Sequence, residues 1–193
     1  MTRSLSKVVR GALQAAARAY PQEVGGKHWD LERRLLARLS GKLYFTKHDL
    51  VEVAKWKTQG RTVPRLKTND EGLVRDLTRI SFATADPALA IQTLVEGIDE
   101  DRLRGVQYPT ASAILMFHKP TRHTVLDPRA WGALHNLGLI GAKPEDWSPA
   151  LYARYLACCR TLALDVHVNL RNLDRALWIL GESDWLLRFL MRL

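Results

Sequence analysis

Three times in this chain a short polar residue runs directly into proline, at Asp86-Pro87, Asp127-Pro128 and Ser148-Pro149. Each pair is a helix opening. The side-chain oxygen accepts a first-turn amide, and proline fits the first helical position, where an N–H would find no intrahelical partner. Thr46, Asn69 and Asn169 supply further polar openings ahead of apolar runs. Within those runs apolar residues return at helical spacing, as at Trp29, Leu31, Leu35, Leu36 and Leu39. Extended signals are confined to two weak stretches, 63–66 and 165–168. The pattern predicts an all-α chain.

The predicted helices follow from these openings and from the residues that stop them. Leu5, Val8, Val9, Leu13 and Ala16 share one face of a first helix, which Tyr20-Pro21 and Gly25-Gly26 break. A second helix covers 29–39 and stops at Gly41. Thr46 caps a third, to about Trp56, and a polar connector with Gly60 and Pro64 fills 58–68. Asn69 caps a helix through Phe82, and Asp86-Pro87 starts another. Later helices run from Asp127-Pro128 to near Gly138, from Ser148-Pro149 to about Leu164, and from Asn169 to Gly181, with Asp184 capping a last one. The first twenty residues are basic and alanine-rich, like a transit peptide, yet their helical spacing favours a folded helix.

At 193 residues the chain suits one compact domain over 1–193, or two small lobes sharing a cleft. No apolar run approaches the roughly 18 residues that would span a bilayer, so a cytoplasmic, membrane-free location is expected. Cys158 and Cys159 are adjacent and diverge on a helix, which predicts buried thiols and no disulfide or metal site. Charge is unevenly spread. Residues 1–67 carry 15 Lys/Arg against 5 Asp/Glu, residues 68–101 carry 2 against 8, and residues 102–193 carry 12 against 7. A basic half of this kind fits a phosphate-binding surface, because released counterions drive such association. It equally fits a solvated face with no partner.

The stretch 103–137, LRGVQYPTASAILMFHKPTRHTVLDPRAWGALHNL, holds a Gly-Val turn, an apolar helix, a proline loop and an aspartate at a helix mouth. Turn amides at a helix N-terminus favour an anion. Asp127 alone reads most simply as a cap, but a cap carboxylate can also face a ligand.

Leu103, Gly105, Val106, Thr110, Ala111, Pro120 and Asp127 together resemble the helix-hairpin-helix and Gly/Pro-Asp loop (HhH-GPD) of the DNA glycosylase superfamily that contains endonuclease III and the 8-oxoguanine glycosylases. The closing run at 170–178 is similar to that of a small bacterial 8-oxoguanine-glycosylase-like subgroup. The resemblance implies a two-lobed helical fold with a DNA cleft between the lobes and a hairpin and catalytic loop over 98–138. It implies Asp127 as the catalytic carboxylate and a hairpin of Gly105, Val106, Gln107, Tyr108 and Thr110 against double-stranded DNA. Gln107 stands where the family has a second glycine. Pro109, eighteen residues before Asp127, stands where the lyase branch has its lysine, which implies a monofunctional glycosylase leaving an abasic site. The implied enzyme is a monomer without cofactor. Two cysteines cannot hold the four-cysteine iron–sulfur cluster of some relatives, and a monovalent cation at the hairpin is carried over from them.

Further candidates come from the residues. Lys55, Lys57, Arg61 and Lys119 are expected to contact phosphates. Trp56, between two lysines, reads either as a base-stacking platform or as a core residue. Arg171, Asp174, Arg175 and Trp178 share a helix face and read as an interlobe network ahead of a base contact. His118 and His123 are expected to be solvated or to touch phosphate. An inactive helix-hairpin-helix DNA-binding module is the alternative function.

Overall fold

A computed structural model describes residues 7–182. They form ten helices: α1 (Lys7–Glu23), α2 (Gly26–Leu39), α3 (Lys47–Thr58), α4 (Val63–Lys67), α5 (Glu71–Ala83), α6 (Pro87–Val95), α7 (Tyr108–His118), α8 (Pro128–Asn136), α9 (Pro149–Asp165) and α10 (Leu170–Leu180). The described residues contain no strand, only an isolated bridge between Ile98 and Asp101. The all-α expectation is met. No helix among them is long and apolar enough to cross a membrane.

The caps do what their chemistry predicts at most openings. Thr46 and Asp49 form a reciprocal capping box on α3. Asp86, Asp127, Ser148 and Asn169 each accept a first-turn amide, with proline at the start of α6, α8 and α9. α7 is the central element. Every residue from Thr110 to His118 is buried, as expected of a helix that is apolar all round. Burying Ile114, Leu115, Met116 and Phe117 fully contributes about 1.5–3 kcal/mol apiece. Around it, α3 packs on α2, α4, α5 and α7, while α10 packs on α1, α8 and α9; α2 touches α1, α3 and α7, and α6 meets α9. The terminal helices α1 and α10 are extensively paired. All of these elements share one continuous core.

Several boundaries differ from the sequence pattern, each for a local reason. α1 continues through Pro21 to Glu23. Tyr20 is anchored by a hydrogen bond to Glu32 and by edge contacts with Trp29 and Trp178, so packing carries the helix past a proline near its end. The buried face of α1 is Ala12, Leu13, Ala16 and Tyr20, with Val8 turned outward at 50% exposure; Leu5 lies outside the described residues. α2 begins three residues early, at Gly26. The stretch 63–66 is helical, not extended, because Pro64 fits the first turn of α4. Residues 165–168 end α9 and turn into α10 instead of extending. Asp70, not Asn69, caps α5, and the carboxamide of Asn69 is used elsewhere. Asp184 lies outside the described residues. Cys158 is half-buried and Cys159 buried, both as free thiols.

His118, at the end of α7, and His123, in the loop that follows, are not solvated; both are buried. His118 stacks on Phe82 with ring centroids 3.9 Å apart and planes within 3°, and neither ring nitrogen has a well-directed partner. His123 Nδ1 lies 3.1 Å from the Tyr152 hydroxyl. Burial, reinforced by nearby cations, pushes His118 down to about 4 and His123 to about 3. A histidine held neutral in the fold is protonated first in the unfolded chain, so stability is full above pH 6.5 and falls as pH drops toward 4. His118→Phe keeps the stack and removes the titration. Between pH 7 and pH 5 it should lose about 2 kcal/mol less stability than the parent in chemical denaturation. Equal losses in the two proteins would show that His118 does not carry this pH dependence.

Candidate functional site

Asp127 is held by its backbone before its side chain acts. The strand of loop leading to it is threaded between two helices: Leu126 N donates to Ser112 Oγ of α7 at 2.8 Å, and the Tyr155 hydroxyl of α9 donates to Val125 O at 3.1 Å. Asp127 then caps α8, with Oδ1 accepting from Arg129 N at 2.8 Å. The other oxygen, Oδ2, accepts a short hydrogen bond from Lys57 Nζ at the last turn of α3. Both side chains are largely enclosed, Lys57 at 11% exposure and Asp127 at 14%.

The pair faces a cavity of about 270 Å³. Tyr20, His28, Trp56 and Trp178 give its wall aromatic surface, and Asp174 adds a second carboxylate. The cations Arg61, Arg129, Arg171 and Arg175 surround them. Its walls come from α1, α2, α3, α8 and α10 together. The four residues proposed for a base pocket, Trp56, Arg171, Asp174 and Trp178, all line the same cavity as Asp127. Trp56 is buried in the core and also forms cavity wall; its ring meets His28 face to face and Phe117 edge-on.

Behind the wall stands a residue the sequence reading missed. Glu32, 0% exposed, accepts from Tyr20 Oη at 3.0 Å, from Arg171 Nε at 3.1 Å and from Arg175 Nη2 at 2.6 Å. Arg171 Nη2 also lies 2.6 Å from Glu32 Oε2, as an ion pair without hydrogen-bond direction. Arg171 further bonds Asp174 and sits over the Trp56 ring at 5.3 Å, while Arg175 sits over Trp29 at 4.7 Å. Burial pushes the Glu32 carboxyl up, but the Arg171 and Arg175 guanidiniums outweigh it and hold the acid below its ordinary range. Desolvation also drives Tyr20 well above a normal phenol and His28 below a normal imidazole. Arg171, Asp174 and Arg175 thus belong to a buried charge network with Glu32 at its centre. One signal was available: Glu32 falls at helical spacing with Leu35, Leu36 and Leu39, an acid on an apolar face.

The glycine turn forms a separate surface. Gly105 has φ +80°, and a Cβ there would meet Arg65 Cβ at 2.9 Å and Thr62 O at 3.2 Å. Both conformation and the close approach of α4 exclude a side chain. Asn69 clamps the turn, accepting from Arg104 N at 2.7 Å and donating to Arg104 O at 3.0 Å. Gln107 takes an extended backbone, φ −116°, that needs no glycine, and makes no side-chain cap bond to α7. Val106 and Thr110 are buried, so their side chains present little surface to a ligand; Tyr108 donates to Glu96 at 2.8 Å. An open trough of about 740 Å³ beside the turn is lined by Gly105, Gln107 and three arginines absent from the sequence reading: Arg65, Arg102 and Arg104.

The expected phosphate contacts are scattered. Lys57 is not a surface cation, since it turns inward to Asp127. Lys55 is exposed and pairs with Glu52 at 2.6 Å. Arg61 stands at the cavity. Lys119 caps the far end of α7, about 16 Å from the glycine turn along an eleven-residue helix, and lines a depression with Lys42, Tyr44 and Arg79. Among the described residues no group of three or more His, Cys, Asp or Glu is placed to hold a metal ion. In comparisons with known proteins, no family model, no curated protein and no solved structure matches the chain.

Glu32→Gln removes the charge that two enclosed guanidiniums share. Unpairing buried charges typically destabilises by about 3–5 kcal/mol, and a loss of that size is expected in urea unfolding at pH 7. A change below about 1 kcal/mol, the worth of an exposed pair, would show that the network does not hold α2 to α10.

Proposed function

We propose that the chain is a DNA N-glycosylase of the helix-hairpin-helix/Gly-Pro-Asp type, which binds double-stranded DNA as a monomer in the cytoplasm, everts a modified base and hydrolyses its glycosidic bond. The observation that carries this is the shared cavity. Asp127, marked by the loop resemblance, opens onto the same space as Trp56, Arg171, Asp174 and Trp178, which were singled out on other grounds. Helices α3 to α7 make one lobe of the proposed fold and α1, α8, α9 and α10 the other, with α2 between them and the cavity at their junction.

The hairpin is the turn at Gly105. Its backbone and the uncapped start of α7 take one phosphate, since first-turn amides and the helix dipole both favour an anion. Arg65, Arg102 and Arg104 extend the contact along the strand. Eversion brings the base into the cavity, where aromatic rings and guanidinium planes stack on it and polar groups meet its edge. As the bond to the base lengthens, positive charge grows on the sugar. At 4 Å and an effective dielectric of 20, a carboxylate interacts with a unit charge by about 4 kcal/mol, roughly a thousandfold in rate. Asp127 supplies that interaction and orients the attacking water. Its place as cap of α8 fixes the carboxylate before the substrate arrives.

The excised base is either a damaged base, in repair, or a bulky modified base such as glucosylated hydroxymethylcytosine in phage DNA, in antiviral defence. An inactive DNA-binding module would share the hairpin but have no use for the Asp127 cavity. A panel of duplexes with different modified bases, scored for alkali-labile sites, tests the proposal. Asp127→Asn should lower release of the accepted base by at least about a hundredfold. Equal release by parent and variant would remove Asp127 from the chemistry.

A further inference from the structure

A second concave surface lies at the other end of the two helices that reach the Asp127 cavity and the glycine turn. α3 spans twelve residues, about 18 Å, from its Thr46 cap to the turn that carries Lys57 to the cavity. α7 runs a similar length from the glycine turn to His118. Between the start of α3 and the end of α7 is an open depression of about 490 Å³.

The loop that makes its rim is pinned at both ends. Gly41, left-handed at φ +76°, donates its N–H to His118 O at 2.9 Å, and Phe45 N donates to Thr78 Oγ1 at 3.0 Å. Phe45 is fully buried, edge-on to Phe82. Between these anchors the loop holds Leu43 outward at 80% exposure, the highest of any large apolar side chain among the described residues. The anchors leave this leucine no route into the core, so a group from outside the chain is what can cover it. Tyr44 follows, with the guanidiniums of Arg75 and Arg79 over its ring at 5.5 and 5.2 Å. The stacked rings of Phe82 and His118 complete the depression. Its charge has one sign: Lys42, Arg79 and Lys119 line it, and no acid does. Lys42 shares the buried Asp49 with Arg38, so two cations divide one carboxylate. Arg79 has the exposed Asp76 at 3.6 Å, a pairing that water and salt weaken. Among the described residues Lys119 has no ion-pair partner.

We propose that this depression docks an acidic segment of a partner protein, which inserts one aromatic or branched aliphatic side chain. Phe82, Tyr44 and Leu43 receive the anchor, and the three cations meet carboxylates on either side of it. A loop already fixed in place loses little freedom on binding. A concave apolar surface suits an inserted side chain better than a lipid surface, and the length of α7 separates it from the duplex contact proposed at Gly105. The inference does not depend on the glycosylase reading.

A labelled peptide of aspartate, serine and glycine with a single phenylalanine, titrated with the full chain by fluorescence anisotropy, tests the proposal. Binding should saturate and should weaken as salt is added. Replacing the phenylalanine by glycine, or the aspartates by asparagine, should weaken it about tenfold. Leu43→Ser and Lys119→Glu should each cost about fivefold or more, while Lys143→Glu, which does not line the depression, should bind as the parent does. Thermal unfolding verifies that each variant is folded. No binding by the parent, equal binding without the phenylalanine, or indifference to Leu43→Ser and Lys119→Glu overturns the proposal. Tighter, Leu43-dependent binding of single-stranded oligothymidylate or phosphatidylglycerol vesicles assigns the depression to another ligand and also overturns it. So does self-association of the parent that Leu43→Ser abolishes, because a second copy then fills the depression.

Discussion

A single buried carboxylate organises the site. Glu32 draws Arg171 and Arg175 of α10 onto α2 and takes a hydrogen bond from Tyr20 of α1. Without it, Arg175 would lose its carboxylate and Arg171 would keep only Asp174, leaving two enclosed guanidiniums to share one anion, a state that disfavours the packed arrangement. With it, both guanidiniums line the cavity and lie over the rings of Tyr20, Trp29 and Trp56. Chain segments almost 140 residues apart are thereby joined at the wall that a substrate would meet.

Asp127 has two duties that reinforce each other. As a cap it satisfies an orphan amide of α8, and that same bond fixes its orientation. Gly181 protects this geometry from the other side: a Cβ there would lie 2.3 Å from Arg129 O, so α10 ends against the first turn of α8 with no space for a side chain. At φ −77° it is not a left-handed stop. The glycine that reads as a helix terminator is used for close approach. Ser112 and Tyr155 complete the support by holding the loop backbone from α7 and α9, leaving the carboxylate itself free to face Lys57 and the cavity.

Local chemistry was legible in the sequence, and long-range pairing was not. Thr46, Asp86, Asp127, Ser148 and Asn169 act as caps because capping depends on three or four consecutive residues. Asn69 and Asp70 are equally able caps, so only the clamp on Arg104, 35 residues away, decides between them. Pro21 reads as a break because the partners of its neighbour Tyr20, Glu32 and Trp178, are invisible to a local pattern. Lys57 looks like one more basic residue between Trp56 and the connector until α8 brings Asp127 to it. His118 and His123 were expected to be solvated or to touch phosphate, yet their rings are buried against Phe82 and Tyr152 while Thr121 and Arg122 between them stay exposed. Arg171, Asp174 and Arg175 share a face as their helical spacing predicts, but Glu32, the carboxylate that both arginines share, lies on another helix.

The central claim is that an everted nucleotide sits in the cavity with its sugar beside Asp127. A crystal structure of the Asp127→Asn protein on a duplex carrying a non-cleavable abasic-site analogue tests it most directly. The account predicts the analogue out of the helix, its C1′ position in contact with residue 127 and a flanking phosphate on the Gly105 turn. A duplex bound with its bases stacked, or bound by a surface remote from residues 57 and 127, would contradict it.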